Sequence, residues 1–181
     1  MTENHLICHP DSVCIATELI SVGLEWLLDG HLKLRYELTG DLTQLRIPAP
    51  QPSGAVDGLW EHTCFEAFIA VEGEAGYHEF NFSPSGQWAA YAFSDYRVRS
   101  TWTSSQPLII SLANTNKHLL LEAVIAAADL PQNIAGKPFQ LGLTAVIEAN
   151  DGSLSYWALH HPVSRPDFHH RAGFILSLNQ T

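Results

Sequence analysis

Three polar side chains interrupt apolar stretches of the sequence, and they are its first candidates for ligand chemistry. Glu66 lies inside the apolar run 63–71, while Glu79 and Asn81 alternate with other residues, many of them aromatic, at 77–83. Because an unpaired charge in a buried strand is costly, each carboxylate needs a partner. A ligand whose hydroxyl groups donate hydrogen bonds to carboxylate and amide oxygens would supply one.

Two other roles are open to these acidic residues. Glu66 could be structural, paired with Arg97, Arg46 or a backbone donor. Glu66 and Glu79 could also form the two-carboxylate site of a glycoside hydrolase-like enzyme, which requires a defined separation between the two groups. The sequence does not fix that separation, so both alternatives stand beside the binding role.

Four of the five tryptophans offer flat apolar surfaces on which a sugar ring can stack. Trp60 and Trp102 lie next to predicted loops, which favours exposure. Trp88 and Trp157 lie within predicted strands, where packing into the core competes with binding. We therefore predict a noncatalytic site for a small ligand, with a carbohydrate as the favoured ligand. The candidate ligand-binding residues are Trp60, His62, Glu66, Glu79, Asn81, Trp88, Trp102 and Trp157.

The histidines suggest a different ligand class. His160–His161 and His169–His170 are adjacent pairs, and imidazole clusters bind Zn, Cu or Ni. Neighbouring residues on a strand point to opposite faces, so at most one of each strand pair serves a given site. With neither HExxH nor paired CxxC present, we predict no metal ligand and no cofactor. A haem- or metal-binding domain using histidines is the alternative, although Met1 is the only methionine and Met/His haem ligation is excluded.

Composition limits the partners. The chain has 181 residues, 46% of them hydrophobic and 15% charged, which suits a single domain over residues 1–181 with a substantial core. A net charge of −10 with only nine Lys and Arg argues against nucleic acid and against anionic membranes. The expected partner is a small-molecule ligand.

The cysteines and the N-terminus bear on the compartment. Cys8, Cys14 and Cys64 are odd in number and lack the spacing of a disulfide framework, so reduced thiols are predicted. The first residues show neither a basic segment nor an apolar segment of a signal peptide. Together these features predict a cytoplasmic location.

Short strands dominate the predicted secondary structure. Residues 31–38, HLKLRYEL, alternate strictly between apolar and polar side chains, as a half-buried strand does. The runs 63–71, 77–83 and 87–93 are separated by turn residues and predict an antiparallel meander. Asp151–Gly152 predicts a tight hairpin turn of type I′. Further strands are predicted at 13–20, 42–47, 108–112, 118–126, 139–147, 154–159 and 174–178, with a long loop at 48–58 and a helical turn near 128–130.

About eleven short strands and no long helix predict an all-β fold. The favoured architecture is an antiparallel two-sheet β-sandwich of jelly-roll-like form, and an open barrel is the competing one.

Two parts of the sequence resemble a known group. The segments LWEHTCFEAFIA (59–70) and YHEFNFSPSGQWAAY (77–91) resemble DOMON-like and family 9 carbohydrate-binding-module-like sandwiches, and residues 126–161 with 168–178 resemble their closing part. The resemblance implies a sandwich fold and noncatalytic binding of a sugar or, in some members, haem. Related modules often have carboxylates where this chain has His62 and Thr63, and only Glu66 matches.

Overall fold

The structure, a computed structural model, describes residues 3–133 and 135–179. Strands and short 3-10 helices are the regular elements of this part of the chain. The strands are β1 (Glu3–Cys8), β2 (Thr17–Trp26), β3 (Leu32–Gly40), β4 (Cys64–Val71), β5 (Tyr77–Phe82), β6 (Trp88–Asp95), β7 (Val98–Arg99), β8 (Ile109–Asn114), β9 (His118–Ile125), β10 (Phe139–Glu148), β11 (Leu154–Ala158) and β12 (Leu176–Leu178). The 3-10 helices cover Leu42–Gln44, Leu59–Glu61, Ala127–Asp129 and Arg171–Gly173.

The strands form the two antiparallel sheets of a β-sandwich. The first sheet has the order β1-β2-β3-β9-β8, and the second has the order β7-β6-β5-β4-β10-β11, with β12 beside β10. Strand β1 joins the two sheets, because its first residues pair with β2 and its last residues, Ile7 and Cys8, pair with β11. The prediction of an all-β antiparallel sandwich is confirmed.

The core fills the space between the sheets. Tyr36 of the first sheet packs on Phe65 of the second, with ring centroids 5.1 Å apart. The Tyr36 hydroxyl donates a hydrogen bond to the Glu66 carbonyl oxygen at 2.7 Å, which satisfies its buried polar atom. The alternation predicted for 31–38 is confirmed in β3, where successive residues from Leu32 to Gly40 are buried and half-buried in turn.

Some boundaries were predicted wrongly. Strand β1 was missed, and the first predicted strand, 13–20, begins four residues later as β2 at Thr17. The predicted strand at 42–47 is a 3-10 helix followed by a single bridge between Leu45 and Ala149. Asp41 causes this difference, because its carboxylate accepts hydrogen bonds from the Thr43 backbone and the Gln44 side chain and so caps a turn.

The hairpin between β10 and β11 exists, but its turn is of another type. Gly152 has a φ of +87°, whereas Arg97 is the sole non-glycine residue with positive φ in the described part of the chain. Asp151 therefore does not adopt the left-handed conformation that a type I′ turn requires at both central positions. The Gly152 amide donates to the Ala149 carbonyl at 2.9 Å, which fits a three-residue turn with glycine in the left-handed position.

The cysteine prediction is wrong for two of the three residues. Cys8 and Cys14 are joined by a disulfide, while Cys64 is free and buried. The odd number of cysteines had pointed away from a disulfide, although two of the three can still pair. The predicted cytoplasmic location thereby loses the part of its basis that rested on reduced thiols. Within residues 3–133 and 135–179, no helix is long and apolar enough to cross a bilayer.

Candidate functional site

A cavity of about 430 Å³ lies on the outer face of the second sheet, away from the core. Its volume falls in the range of roughly 300–1,000 Å³ that is usual for small-molecule sites. The sheet forms the floor, and loops form the walls. The lining residues are Trp60, Glu66, Phe68, Glu79, Tyr91, Phe93, Arg97, Arg99, Val146, Tyr156, Pro166, Phe168 and His169.

Strand register places the floor residues side by side. Glu79 of β5 pairs with Phe68 of β4 on one side and with Tyr91 of β6 on the other. One row further along, Glu66 of β4 pairs with Asn81 of β5. Because side chains alternate across a strand, all five of these residues point to the outer face. The meander predicted from the turn signals is therefore what gathers the two acids and the aromatic rings.

A segment after β11 folds back over one end of this face and supplies a wall. The ring of Phe174, in this segment, packs on the backbone of Gly142. A Cβ added to Gly142 would lie 2.8 Å from the Phe174 Cδ1 atom. His169 in the same segment hydrogen-bonds through Nδ1 to the Tyr77 hydroxyl at 2.8 Å. Glycine at 142 is thus needed for close approach, and it allows the segment to reach the cavity.

The two floor acids are deeply buried. Glu66 is 2% exposed and Glu79 is 5% exposed. Burial, followed by the neighbouring Glu79, raises the pKa of Glu66 well above its usual range. Burial likewise raises the pKa of Glu79 to about 7, although the hydrogen bond from Asn81 at 2.8 Å opposes the shift. Burial therefore favours the protonated, uncharged form of both acids.

Partners for Glu66 are few. Its Oε2 atom accepts a hydrogen bond of 3.4 Å from the Thr144 hydroxyl, and its Oε1 atom is buried without a hydrogen-bond partner. Neither arginine weighed as a structural partner pairs with it. Arg46 binds Glu148 at 2.9 Å, and Arg97 binds Asp167 at 2.9 Å.

Arginines stand at the rim of the cavity rather than on its floor. Arg97 and Arg99 are more than half exposed. Arg97 is paired with Asp167, and the Arg99 guanidinium lies 4.0 Å from the centre of the Tyr91 ring and 3.9 Å from an Asp57 carboxylate oxygen. Each rim cation therefore already has an acidic neighbour.

Trp60 stands at the edge of the same cavity. The long loop 48–58 is confirmed, and it leads into the 3-10 helix that carries Trp60. The residue is 40% exposed, and its ring meets Tyr91 edge to face with centroids 6.0 Å apart. Asp57 at the end of the loop accepts a hydrogen bond from the Tyr91 hydroxyl, which ties the loop to the sheet.

Other predicted site residues lie elsewhere. Trp157 is 5% exposed and belongs to the core between the sheets. Trp88 and Trp102 also pack against that core, and Trp102 contacts His78 with ring centroids 4.4 Å apart. His62 lies in a separate groove that Trp60 borders from the other side, and it pairs with Glu148 at 2.8 Å. Asn81 is fully buried and supports Glu79 from below.

The sequence reasoning missed most of the walls. Tyr91 and Phe93 could have been found, because the predicted turn at Pro84–Gly86 fixes the β5–β6 register and brings them opposite Glu79 and Tyr77. No local signal marks Phe168 or His169, since these residues reach the cavity only through the fold of a long loop. His170, the neighbour of His169, caps the 3-10 helix that follows.

The histidines do not form a metal centre in the part of the chain that the structure describes. Across residues 3–133 and 135–179, no three His, Cys, Asp or Glu side chains are grouped so that they could hold a metal ion. His169 is 3.6 Å from Glu79, but burial lowers its pKa to about 4. At neutral pH this imidazole is uncharged and makes no ion pair.

Comparison with known proteins gives likeness in structure alone. No known family model and no curated protein matches the sequence. A "putative carbohydrate-binding protein" from Bacteroides uniformis superposes with a TM-score of 0.73 at 18% identity, over 99% of this chain and 87% of that one. A family 9 carbohydrate-binding module from Caldicellulosiruptor kristjanssonii, solved with glucose, superposes with a TM-score of 0.57 at 10% identity, over 96% of this chain and 83% of that one. These likenesses establish the sandwich fold of carbohydrate-binding modules.

Proposed function

We propose that this chain is a noncatalytic carbohydrate-binding protein whose site is the cavity on the outer face of the second sheet. One observation carries the proposal. An exposed indole, Trp60, stands beside a floor of buried acids in a cavity of about 430 Å³. Sugars bind where aromatic rings meet their C–H faces and fixed polar groups meet their hydroxyls.

Each part of the site has a role in this proposal. The Trp60 ring and the neighbouring Tyr91 ring supply the apolar surface for a pyranose. Glu66 and Glu79 exchange hydrogen bonds with hydroxyls, and Asn81 holds Glu79 in place by its bond to Oε1. Because the acids, Asn81 and Tyr91 come from packed strands, this part of the site needs little ordering on binding.

Similar folds support the choice of ligand. One structural neighbour is described as carbohydrate-binding and the other was solved with glucose. The resemblance of residues 59–70 and 77–91 to DOMON-like sandwiches belongs to the same proposal. The proposal assigns no catalytic step to Glu66 or Glu79.

The test is a titration with neutral mono- and oligosaccharides, followed by calorimetry and tryptophan fluorescence. We expect binding that quenches or shifts the fluorescence, and loss of both signals in Trp60→Ala. Removing an aromatic platform costs about 1–3 kcal/mol, or roughly tenfold to a hundredfold in affinity. Trp102→Phe is the matched control, because Trp102 packs against the core and should leave binding unchanged.

Two results would contradict the proposal. A broad sugar panel without heat or fluorescence response would remove carbohydrate as the ligand. A response that survives Trp60→Ala, in a variant whose circular dichroism is that of the parent, would place the binding surface outside this cavity.

A further inference from the structure

The floor of the cavity contains an acid that lacks a full set of partners. Glu66 is 2% exposed, it faces the cavity, and its Oε1 atom accepts no hydrogen bond from residues 3–133 and 135–179. Buried polar atoms are nearly always paired in native proteins, so an unpaired one in a cavity wall marks a place for a ligand atom. Its strand neighbour Asn81, which lies behind the cavity lining, also has a buried Oδ1 atom without a hydrogen bond from the described residues. Both free atoms are hydrogen-bond acceptors.

The floor also lacks a cation. Glu66 and Glu79 lie on adjacent strands, two residue pairs apart and so on the same face of the sheet. The nearest basic group is the His169 imidazole, 3.6 Å from Glu79, and it is uncharged at neutral pH. The guanidinium groups of Arg97 and Arg99 stand at the rim, each beside its own aspartate. Arg97 and Arg99 act on Glu79 from the rim and lower its pKa, but among the described residues no lysine or arginine forms an ion pair with either floor acid.

The walls suit a cation as well. Trp60, Tyr91 and Phe93 stand along one side, and Tyr156 and Phe168 stand along the other. The face of an aromatic ring attracts a cation, most strongly when the cation is removed from water. The Arg99 guanidinium lies over the Tyr91 ring, 4.0 Å from the ring centre, so this aromatic surface already accommodates a cation.

We propose that the ligand is an amino sugar, whose ammonium group binds between Glu66 and Glu79 while its ring lies against Trp60. This inference rests on the proposed carbohydrate-binding function and narrows the ligand to sugars with a free primary amine. The ammonium group donates hydrogen bonds to the unpaired Oε1 atom of Glu66 and to a Glu79 carboxylate oxygen. Such charge-assisted bonds are roughly twice as strong as neutral ones.

Binding of the ammonium group should change the protonation of the two floor acids. In the free protein, burial favours the protonated forms of the two acids, as their raised pKa values show. A bound ammonium group stabilises the carboxylate forms, so the pair releases a proton to the solvent when the ligand enters. The other titratable or charged groups near the pair are Tyr36 on the core side, Cys64 beside Glu66 on the same face of β4, Asp57, Arg97 and Arg99 at the rim, and His169, Tyr77 and Tyr91 around Glu79.

The experiment compares three sets of sugars on the full chain at about pH 6, where carboxyls of raised pKa carry protons and amines are charged. Glucosamine, galactosamine and mannosamine are each titrated against the parent hexose and the N-acetyl form. We expect at least one amine to bind about tenfold or more tightly than both of its neutral counterparts. Calorimetry in two buffers of different ionisation enthalpy should show proton release with the amine and none with the parent hexose.

Variants of the two floor acids test whether their carboxylates recognise the ammonium group. Glu66→Gln and Glu79→Gln keep the size of the side chain and remove its charge. Each should reduce the preference for the amine about tenfold, measured as the ratio of the amine affinity to the parent-hexose affinity in the same variant. Glu61→Gln, at an exposed glutamate outside this cavity, is the matched control and should keep the preference. If either floor variant fails to fold, the proton release of the unaltered protein still tests the proposal.

The outcomes separate the two proposals. Parent hexoses that bind as tightly as the amines, without proton release, would overturn the amine site and leave carbohydrate binding intact. An amine preference that persists in both floor variants would also overturn it. No response to any sugar would overturn carbohydrate binding itself.

Discussion

Removing the charge of Glu79 should stabilise the protein at alkaline pH. In the folded state burial raises the Glu79 pKa from 4.5 to about 7. A raised carboxyl pKa contributes stability below the unfolded pKa, and this contribution is lost as pH rises through the folded pKa. At 1.36 kcal/mol per pKa unit, the loss between pH 4.5 and pH 8 is about 3 kcal/mol. That is a large part of the roughly 5–15 kcal/mol that stabilises a typical domain.

Histidines partly hide this effect in the unaltered protein. Burial lowers the pKa of His78, His161 and His169, and it lowers that of His169 to about 4. A lowered histidine pKa costs stability as pH falls below the unfolded value, which is the opposite slope over much of the same range. The total stability curve therefore does not isolate Glu79, whereas the difference between the protein and a Glu79→Gln variant does.

The assay is urea unfolding of both proteins at several pH values from about 4.5 to 8. We expect Glu79→Gln to match the parent at the acid end and to exceed it by about 3 kcal/mol at the alkaline end, or roughly 6–12 °C in melting temperature. The amide can still accept the hydrogen bond from Asn81. Glu61→Gln, at an exposed position, should show no such difference. A flat difference curve, or a variant that is less stable at pH 8, would refute the raised pKa and the buried state of this acid.

Two glycines give further predictions. Gly142→Ala should destabilise the protein by about 1–3 kcal/mol, because its Cβ would meet the Phe174 ring at 2.8 Å, and Phe174→Ala should make the same change nearly harmless in a double-mutant cycle. Additive effects in that cycle would rule out the contact as the cause. Gly152→Val should cost about 1–3 kcal/mol in urea unfolding because of the φ of +87°, while Gly152→Asn should cost less, since asparagine tolerates this conformation. Equal stability of the valine variant would show that the turn adapts.

The fold could be predicted because its signal is local. Alternation at 31–38 and the buried run at 63–71 depend only on the period of a strand and on which face is buried. Strand β1 could not be found in this way, because the exposure of Glu3–Cys8 follows no simple alternation and its pairing changes from β2 to β11 within six residues. The disulfide between Cys8 and Cys14 was missed for a similar reason, since a count of cysteines says nothing of their distance in space.

The candidate site was predicted in its floor acids and in Trp60. Glu66 and Glu79 stood out because a charge within an apolar strand is rare and must have a reason. The tryptophans within strands carry no such signal, because an indole there packs into a core as readily as it lines a cavity, and Trp157 and Trp88 pack with the core. His169 and Phe168 lie at the cavity because Phe174, in the same segment, packs on Gly142. That contact joins residues that are distant in sequence.

The floor acids also argue that this face of the sandwich does more than pack the structure. A leucine at either position would bury apolar surface and remove the cost of holding a carboxyl group away from water. Glu66 instead keeps an unpaired Oε1 atom, and Glu79 keeps a pKa near 7, in the middle of the sheet. Local rules of stability are broken mainly where a site requires it. A ligand that supplies the missing partner would recover part of that stability on binding, so its presence should raise the melting temperature.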